Sequence, residues 1–332
     1  MKTSFESPLG SDFARFLDHK RALGYAYTVE EEALRQLDSF LRKRMPAADI
    51  LTEEIVRSFV LARPPKSRYN SLCVLRNLGR FLAAAEARTF VAPPRFMGLV
   101  GKRHKEGVHV LSLAEAALFV DATKRLRPMR WAPLRPLIIG TALRVLLFTG
   151  IRRGELLALR EADVDLRAGV LMIRDTKFGK TRPVPLTEDL TLELRAYRTE
   201  LTKAAPERRA TDPFFPGHDG RAPCSESILY NGYREALATA GIRARRRKGR
   251  TPGPRLHDLR HTFAVFRLLA WYRQKADLRA KVPILSAYLG HVGILSSQTY
   301  LHLTRDLAGE IVERELATHG SPVTVAVDAV AR

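Results

Sequence analysis

Tyr300, Arg152, Arg260 and His257 lie far apart in the chain, and their side-chain types are those a metal-free attack on a phosphate diester needs. Such a reaction requires a nucleophile, donors that stabilise charge on the nonbridging oxygens, and an acid that protonates the departing oxygen. Arginine's planar fork matches phosphate geometry and stays protonated, so two arginines are the expected clamp for the transition state. Arg152 lies in Thr149-Gly150-Ile151-Arg152-Arg153-Gly154-Glu155, a turn set by two glycines just past an apolar helix. Glu155, three residues on, is placed either to orient the guanidinium or to cap the next helix. In Leu256-His257-Asp258-Leu259-Arg260 a spacing of three puts His257 and Arg260 on one helix face, within reach of one phosphate. Histidine donates or accepts a proton near neutral pH. From Leu289-Gly290-His291 to Tyr300, Gly290 ends one helix and positions His291, while the tyrosine lies within the next. A phenol with a pKa of about 10 attacks well only where cations and a base ease its deprotonation. Taken singly, each has a plainer reading: an arginine at a helix end is solvated, His-x-x-Arg arises by chance, and a helical tyrosine packs in a core.

The elements that must position these groups follow from periodicity. The first hundred residues carry helical spacing throughout, beginning with Phe13, Phe16 and Leu17. Thr28 with Glu31 reads as a capping box ahead of a helix presenting Leu34, Leu37, Phe40 and Leu41, and Thr52 as the cap of another presenting Ile55, Val56, Phe59 and Val60. A fourth helix is expected from about Tyr69 to Ala85, separated from the third by Pro64-Pro65, which makes a compact bundle. Ser112 with Glu115 opens a larger domain, and Pro136 to Phe148 reads as a buried helix ended by Gly150. Residues 163–186 change period, with turns at Arg167-Ala168-Gly169 and Phe178-Gly179, and imply a small antiparallel sheet. Helical pattern resumes at Thr187, Ser225, His257 and Pro283. The fold class expected is mainly α with a small antiparallel β-sheet: an N-terminal helical bundle plus a larger C-terminal α+β domain.

Composition narrows the partner. The 332 residues hold 56 Lys plus Arg against 35 Asp plus Glu, a formal net charge of +21, and such a field draws polyanions. An Arg-rich or ribosome-associated protein shares that balance, so charge alone does not decide. Cys73 and Cys224 are the only cysteines, too few for a disulfide framework or a cysteine zinc site, which fits a reducing cytoplasm. No secretory leader is expected in residues 1–16. The most apolar stretch, residues 136–151, is interrupted by Arg144 and too short to span a bilayer, so no membrane partner is expected.

Together the three segments resemble the tyrosine recombinase, or phage integrase, family. The Arg motif matches at Thr149 to Leu157, the His-x-x-Arg motif at His257 to Arg260, and Gly-His followed nine residues later by Tyr at Gly290, His291 and Tyr300, all in the family's order. Leu301-His302-Leu303-Thr304 is similar to transposon-borne members. The resemblance implies a type IB reaction: Tyr300 displaces a 5′ hydroxyl, forms a 3′-phosphotyrosine, and a hydroxyl from a partner strand reverses the step, with no metal or other cofactor. It further implies a general-acid lysine on the turn between two strands; Lys177 in Asp175-Thr176-Lys177-Phe178-Gly179-Lys180 fits, with Lys180 as runner-up. By the same resemblance His291 bonds the scissile phosphate and Glu155 supports Arg152.

Expected partners are double-stranded DNA carrying specific recombination sites and further copies of the chain in a tetrameric synapse, with accessory recombinases or host factors as additional partners, and a cytoplasmic, nucleoid-associated location. The expected division is 1–92 for DNA binding, 93–111 as a basic linker, 112–317 as the catalytic domain and 318–332 as a flexible tail. Expected DNA contacts are Lys102, Arg103 and Lys105 in the linker, Lys180 and Arg182 by the strand turn, and the cluster Arg243, Arg245, Arg246, Arg247, Lys248 and Arg250 ahead of His257. A solvated, idle loop explains that cluster equally well. Two other functions share the pattern: a type IB topoisomerase that relaxes supercoils without exchanging partners, and a noncatalytic DNA-binding accessory.

Overall fold

The computed structural model of the chain describes residues 5–100, 108–174, 181–217, 222–242 and 254–290. It is mainly helical with one small antiparallel sheet, the class expected. The chain divides near residue 105 into two compact units, and each encloses its own apolar core.

The first unit holds α1 (Gly10–Ala22), α2 (Thr28–Arg44), α3 (Glu53–Ala62) and α4 (Pro65–Leu82). Their apolar stripes meet in a core that includes Phe13, Phe16, Leu37, Leu41, Val56, Val60, Leu75 and Leu78. Thr52 caps α3 as expected, its hydroxyl accepting from the Ile55 amide at 3.3 Å. The Thr28–Glu31 box does not form. Tyr27 takes the cap position in the left-handed region (φ 50°), Thr28 is already helical, and the Glu31 carboxylate is drawn to Arg21 and, at 2.7 Å, to Arg35. Helix α4 starts at Pro65 rather than near Tyr69, because a proline at the first helical position gives up no backbone bond. A 3-10 helix, Pro94–Val100, occupies part of the segment read as linker, with Phe96 buried and its ring centroid 5.2 Å from that of Phe90.

The second unit is built around α6 (Arg135–Thr149), nearly all of whose residues are buried against α5 (Leu113–Lys124), α8 (Glu188–Ala204), α9 (Glu226–Thr239) and α10 (Asp258–Arg273). Ser112 and Glu115 form the reciprocal cap of α5, at 3.1 and 2.8 Å. Arg144, the charge within the apolar stretch, is buried but satisfied by Glu193 at 2.6 Å, Thr123 at 2.8 Å and Thr141 at 3.2 Å. After the short α7 (Arg153–Ala158) come β1 (Val164–Asp165), β2 (Val170–Ile173) and β3 (Arg182–Pro185), antiparallel in the order β1-β2-β3. In β3, Arg182 and Val184 pair with Ile173 and Leu171, and the alternate positions are both proline, Pro183 and Pro185. Thr187 and Ser225 cap α8 and α9 as their spacing predicts. The last described helix, α11 (Leu278–Leu289), begins five residues ahead of Pro283 because Asp277 caps it, accepting from the Arg279 amide at 2.8 Å. Pro283 sits inside that helix. No helix among the described residues is long and apolar enough to cross a membrane.

Candidate active site

The end of α6 sets the geometry. Gly150 adopts a left-handed conformation (φ 62°), and a Cβ there would meet the Phe263 ring at 2.5 Å, so only glycine fits this turn. Two residues later Arg152 caps α7, its backbone amide donating to Glu155 Oε2 at 2.9 Å while its guanidinium Nη1 donates to Glu155 Oε1 at 2.7 Å. Glu155 therefore does both things its position allowed: it closes the helix start and aims the arginine.

Helix α10 brings the second segment. Its first turn is fixed by Asp258, which accepts from the Arg255 amide at 2.9 Å and from the Arg255 guanidinium at 3.0 Å. One turn along, Thr262 donates to the Asp258 carbonyl at 2.9 Å and accepts from the Leu111 amide at 3.1 Å. Between them Arg260 is only 3% exposed and reaches the Gly150 carbonyl at 2.7 Å and the Leu289 carbonyl at 2.6 Å. His257 and Arg260 thus stand together with the Gly150–Glu155 turn.

The third segment supplies acceptors. Three successive carbonyls at the end of α11 each take one arginine: Tyr288 from Arg182 Nε at 2.8 Å, Leu289 from Arg260, and Gly290 from Arg152 Nη2 at 2.7 Å. The carbonyl end of a helix carries partial negative charge, which favours cations gathered there. Gly290 is left-handed (φ 67°), and a Cβ on it would lie 3.0 Å from Arg182 Nη1 and 3.3 Å from Arg152 Nη1.

Electrostatics follows from this crowding. The His257 imidazole lies below its ordinary value of 6.5 because surrounding protein disfavours its charged form; Arg260 adds repulsion, as do Arg255 and Arg152, against an opposing pull from Asp258. His257 nevertheless keeps an exposed face. His261 stands edge-on to it at 4.9 Å, and burial, with repulsion from His257 next, pushes it down to about 4. Burial alone would raise the Glu155 carboxyl, but hydrogen bonds from Arg182 and from the backbone and side chain of Arg152 outweigh it and hold it below the usual carboxylate range.

Of the residues singled out in the sequence, Arg152, Glu155, His257 and Arg260 come together. Arg182, read there as a DNA contact, is 12% exposed and turned inward, its fork on both Glu155 oxygens at 3.0 and 2.8 Å. The strand alternation carried the signal: Arg182 shares a face with fully buried Val184. Tyr300, His291, Lys177, Lys180, Lys102, Arg103, Lys105, Arg243, Arg245, Arg246, Arg247, Lys248 and Arg250 lie outside the described residues, as does the 318–332 tail. Chemically, the arrangement offers charge stabilisation in a fixed direction. A guanidinium carries five N–H donors; Arg152, 38% exposed, is steered by bonds on Nη1 and Nη2 while facing solvent. Beside it stands an imidazole kept neutral at pH 7.

Comparison with known proteins gives concordant matches. The family model described as "Phage integrase family" matches residues 110–306. The "Putative integrase/recombinase y4rE" of Sinorhizobium fredii (strain NBRC 101917 / NGR234) is 33% identical over 326 residues, covering 96% of this chain and 99% of that protein. The "Tyrosine recombinase XerD" of Chlorobaculum tepidum is 29% identical over 202 residues, 61% of this chain and 60% of that one. Among solved structures, the Tn1549 transposon integrase in complex with transposon right end DNA aligns over 95% of this chain and all of its own, with a TM-score of 0.61 and 16% identity, a likeness of fold.

Proposed function

Because this chain belongs to the phage integrase family of tyrosine recombinases, we propose that it is a site-specific DNA recombinase that cuts and rejoins strands through a 3′-phosphotyrosine. The observation that carries this reading is the meeting of Arg152, Arg260 and His257, with Arg260 bonded to the carbonyl of Gly150 and Arg152 two residues beyond. Tyr300 is the nucleophile. Its phenolic oxygen forms a bond to the scissile phosphorus as the bond from phosphorus to the 5′ oxygen breaks. Arg152 and Arg260 stabilise charge on the nonbridging oxygens, where preorganised donors act most strongly. His257, neutral at pH 7, is the group suited to accept a proton, and Lys177 delivers one to the departing 5′ oxygen, with Lys180 as the alternative donor. His291 bonds the phosphate. A 5′ hydroxyl from a partner strand then attacks phosphorus and releases the phenol, so the phosphate-ester bond is conserved throughout.

The substrate is double-stranded DNA with a specific recombination site, and exchange between two duplexes calls for a tetramer of this chain. Residues 1–92 form the DNA-gripping domain, 93–111 a basic linker and 112–317 the catalytic domain, with the work done in the cytoplasm on the nucleoid. The element moved is an integrating or transposing one. A suicide substrate nicked beside the cleavage site tests the reading: wild-type protein forms a covalent adduct that survives denaturant, and Tyr300→Phe forms none while binding the same DNA. An adduct in the Tyr300→Phe protein, or none in the wild type, refutes it. Relaxation of a plasmid lacking the site, without recombinant products, would favour a topoisomerase instead.

A further inference from the structure

Arg182 opens β3 and faces inward with Val184. All three of its guanidinium nitrogens are engaged: Nη1 and Nη2 hold the two Glu155 oxygens at 3.0 and 2.8 Å, and Nε holds the Tyr288 carbonyl at 2.8 Å. Its two terminal nitrogens face a carboxylate rather than solvent. Arg182 decides where Glu155 stands. Glu155 Oε1 is shared between Arg182 Nη1 and Arg152 Nη1, and Oε2 between Arg182 Nη2 and the Arg152 amide, so each oxygen is fixed by two arginines at once. Without Arg182, the carboxylate is held, among the described residues, by Arg152 alone, the very group it has to aim.

We propose that Arg182 is a positioning residue for strand cleavage: its two-point grip on Glu155, anchored to the end of α11, fixes the direction in which Arg152 presents its guanidinium. The inference rests on the reading of Arg152 as a phosphate clamp. Two physical points favour it. First, a planar fork laid on a carboxylate sets both distance and angle, whereas a lysine at the same place supplies charge and a single flexible contact. Second, catalytic groups displaced by about 1 Å lose on the order of 100-fold in rate, so a remote support of this kind has kinetic weight.

The test uses the full chain, with a nicked suicide duplex as the probe. Arg182→Lys keeps the charge and removes the fork. Expected are DNA affinity within about 2-fold of wild type and adduct formation slowed by roughly 10- to 100-fold. Because the effect runs through Glu155, Glu155→Gln combined with Arg182→Lys is no slower than Glu155→Gln alone, the coupled behaviour of residues acting as a unit. Arg182→Gln adds a pH readout. It frees Glu155 from its depressed titration, so cleavage at pH 5 falls further relative to pH 7 than in wild type, a change that a loss of packing does not produce. Should lysine unsettle the fold, the cycle with Glu155 is read in the glutamine variant instead. Wild-type cleavage rates in Arg182→Lys, or independent, multiplying losses in the double variant, overturn the proposal. A wild-type protein that forms no adduct refutes the reading of the site itself, a separate failure.

Discussion

At the scale of single residues, the site is a set of cations made tolerable by carbonyl groups. Arg152, Arg182 and Arg260 would repel one another in a bare cluster, yet each is tied to a backbone oxygen at the end of α11, and Glu155 lies between two of them. That positive surround, with the burial of the ring, sets the state of His257. In DNA-free protein its imidazole is expected to titrate below 6.5, measured by NMR of the ring proton across pH 4–8. The sign for stability follows. A histidine whose native pKa is depressed contributes fully above its unfolded value and loses that contribution as pH falls through the window below 6.5. A titration at or above 6.5 would contradict the proposed environment. These residues were legible as types and spacings, because an arginine between glycines and a His-x-x-Arg on one helix face constrain position closely. Arg182 stood out in the sequence by its charge, while its place on the inward face beside Val184 is what brings it onto Glu155.

At the scale of elements, the helix caps carried most of the information. Thr52, Ser112, Thr187 and Ser225 each begin the helix their spacing predicts, since a hydroxyl three residues ahead of a backbone amide is a local arrangement that the remaining chain need not supply. Thr28 and Pro283 misled because neighbouring groups compete for the same roles. Glu31 is captured by arginines rather than by its own helix start, and an aspartate six residues earlier outcompetes the proline as a starting signal for α11. Gly150 is the junction on which the site depends most. Gly150→Ala puts a Cβ 2.5 Å from the Phe263 ring at a left-handed φ, so a loss of about 2 kcal/mol or more is expected in urea unfolding. A neutral result there would mean that the turn is softer than its contacts imply.

At the scale of the whole molecule, charge and sheet architecture bear on how copies meet DNA. A net charge of +21 predicts binding dominated by phosphate contacts: if six to ten are neutralised, affinity falls about 10³- to 10⁵-fold between 50 and 200 mM salt, as a salt titration of duplex binding would read. A shallow slope would mean that most of the surplus faces elsewhere. The two-core division follows from the chain's length and was legible in outline, whereas the place where the first core ends was not, because Phe96 folds into it beyond the expected boundary. The alternating prolines of β3 have a further consequence. Arg182 and Val184 pair toward β2, and the Leu186 amide continues that ladder to Gly169 at 2.8 Å, so the backbone nitrogens of residues 183 and 185 are the ones turned outward. Both belong to proline, leaving that border of the sheet with no donor to offer a neighbouring strand. Protomers crowded along one duplex therefore have no seam on β3 along which to polymerise strand to strand.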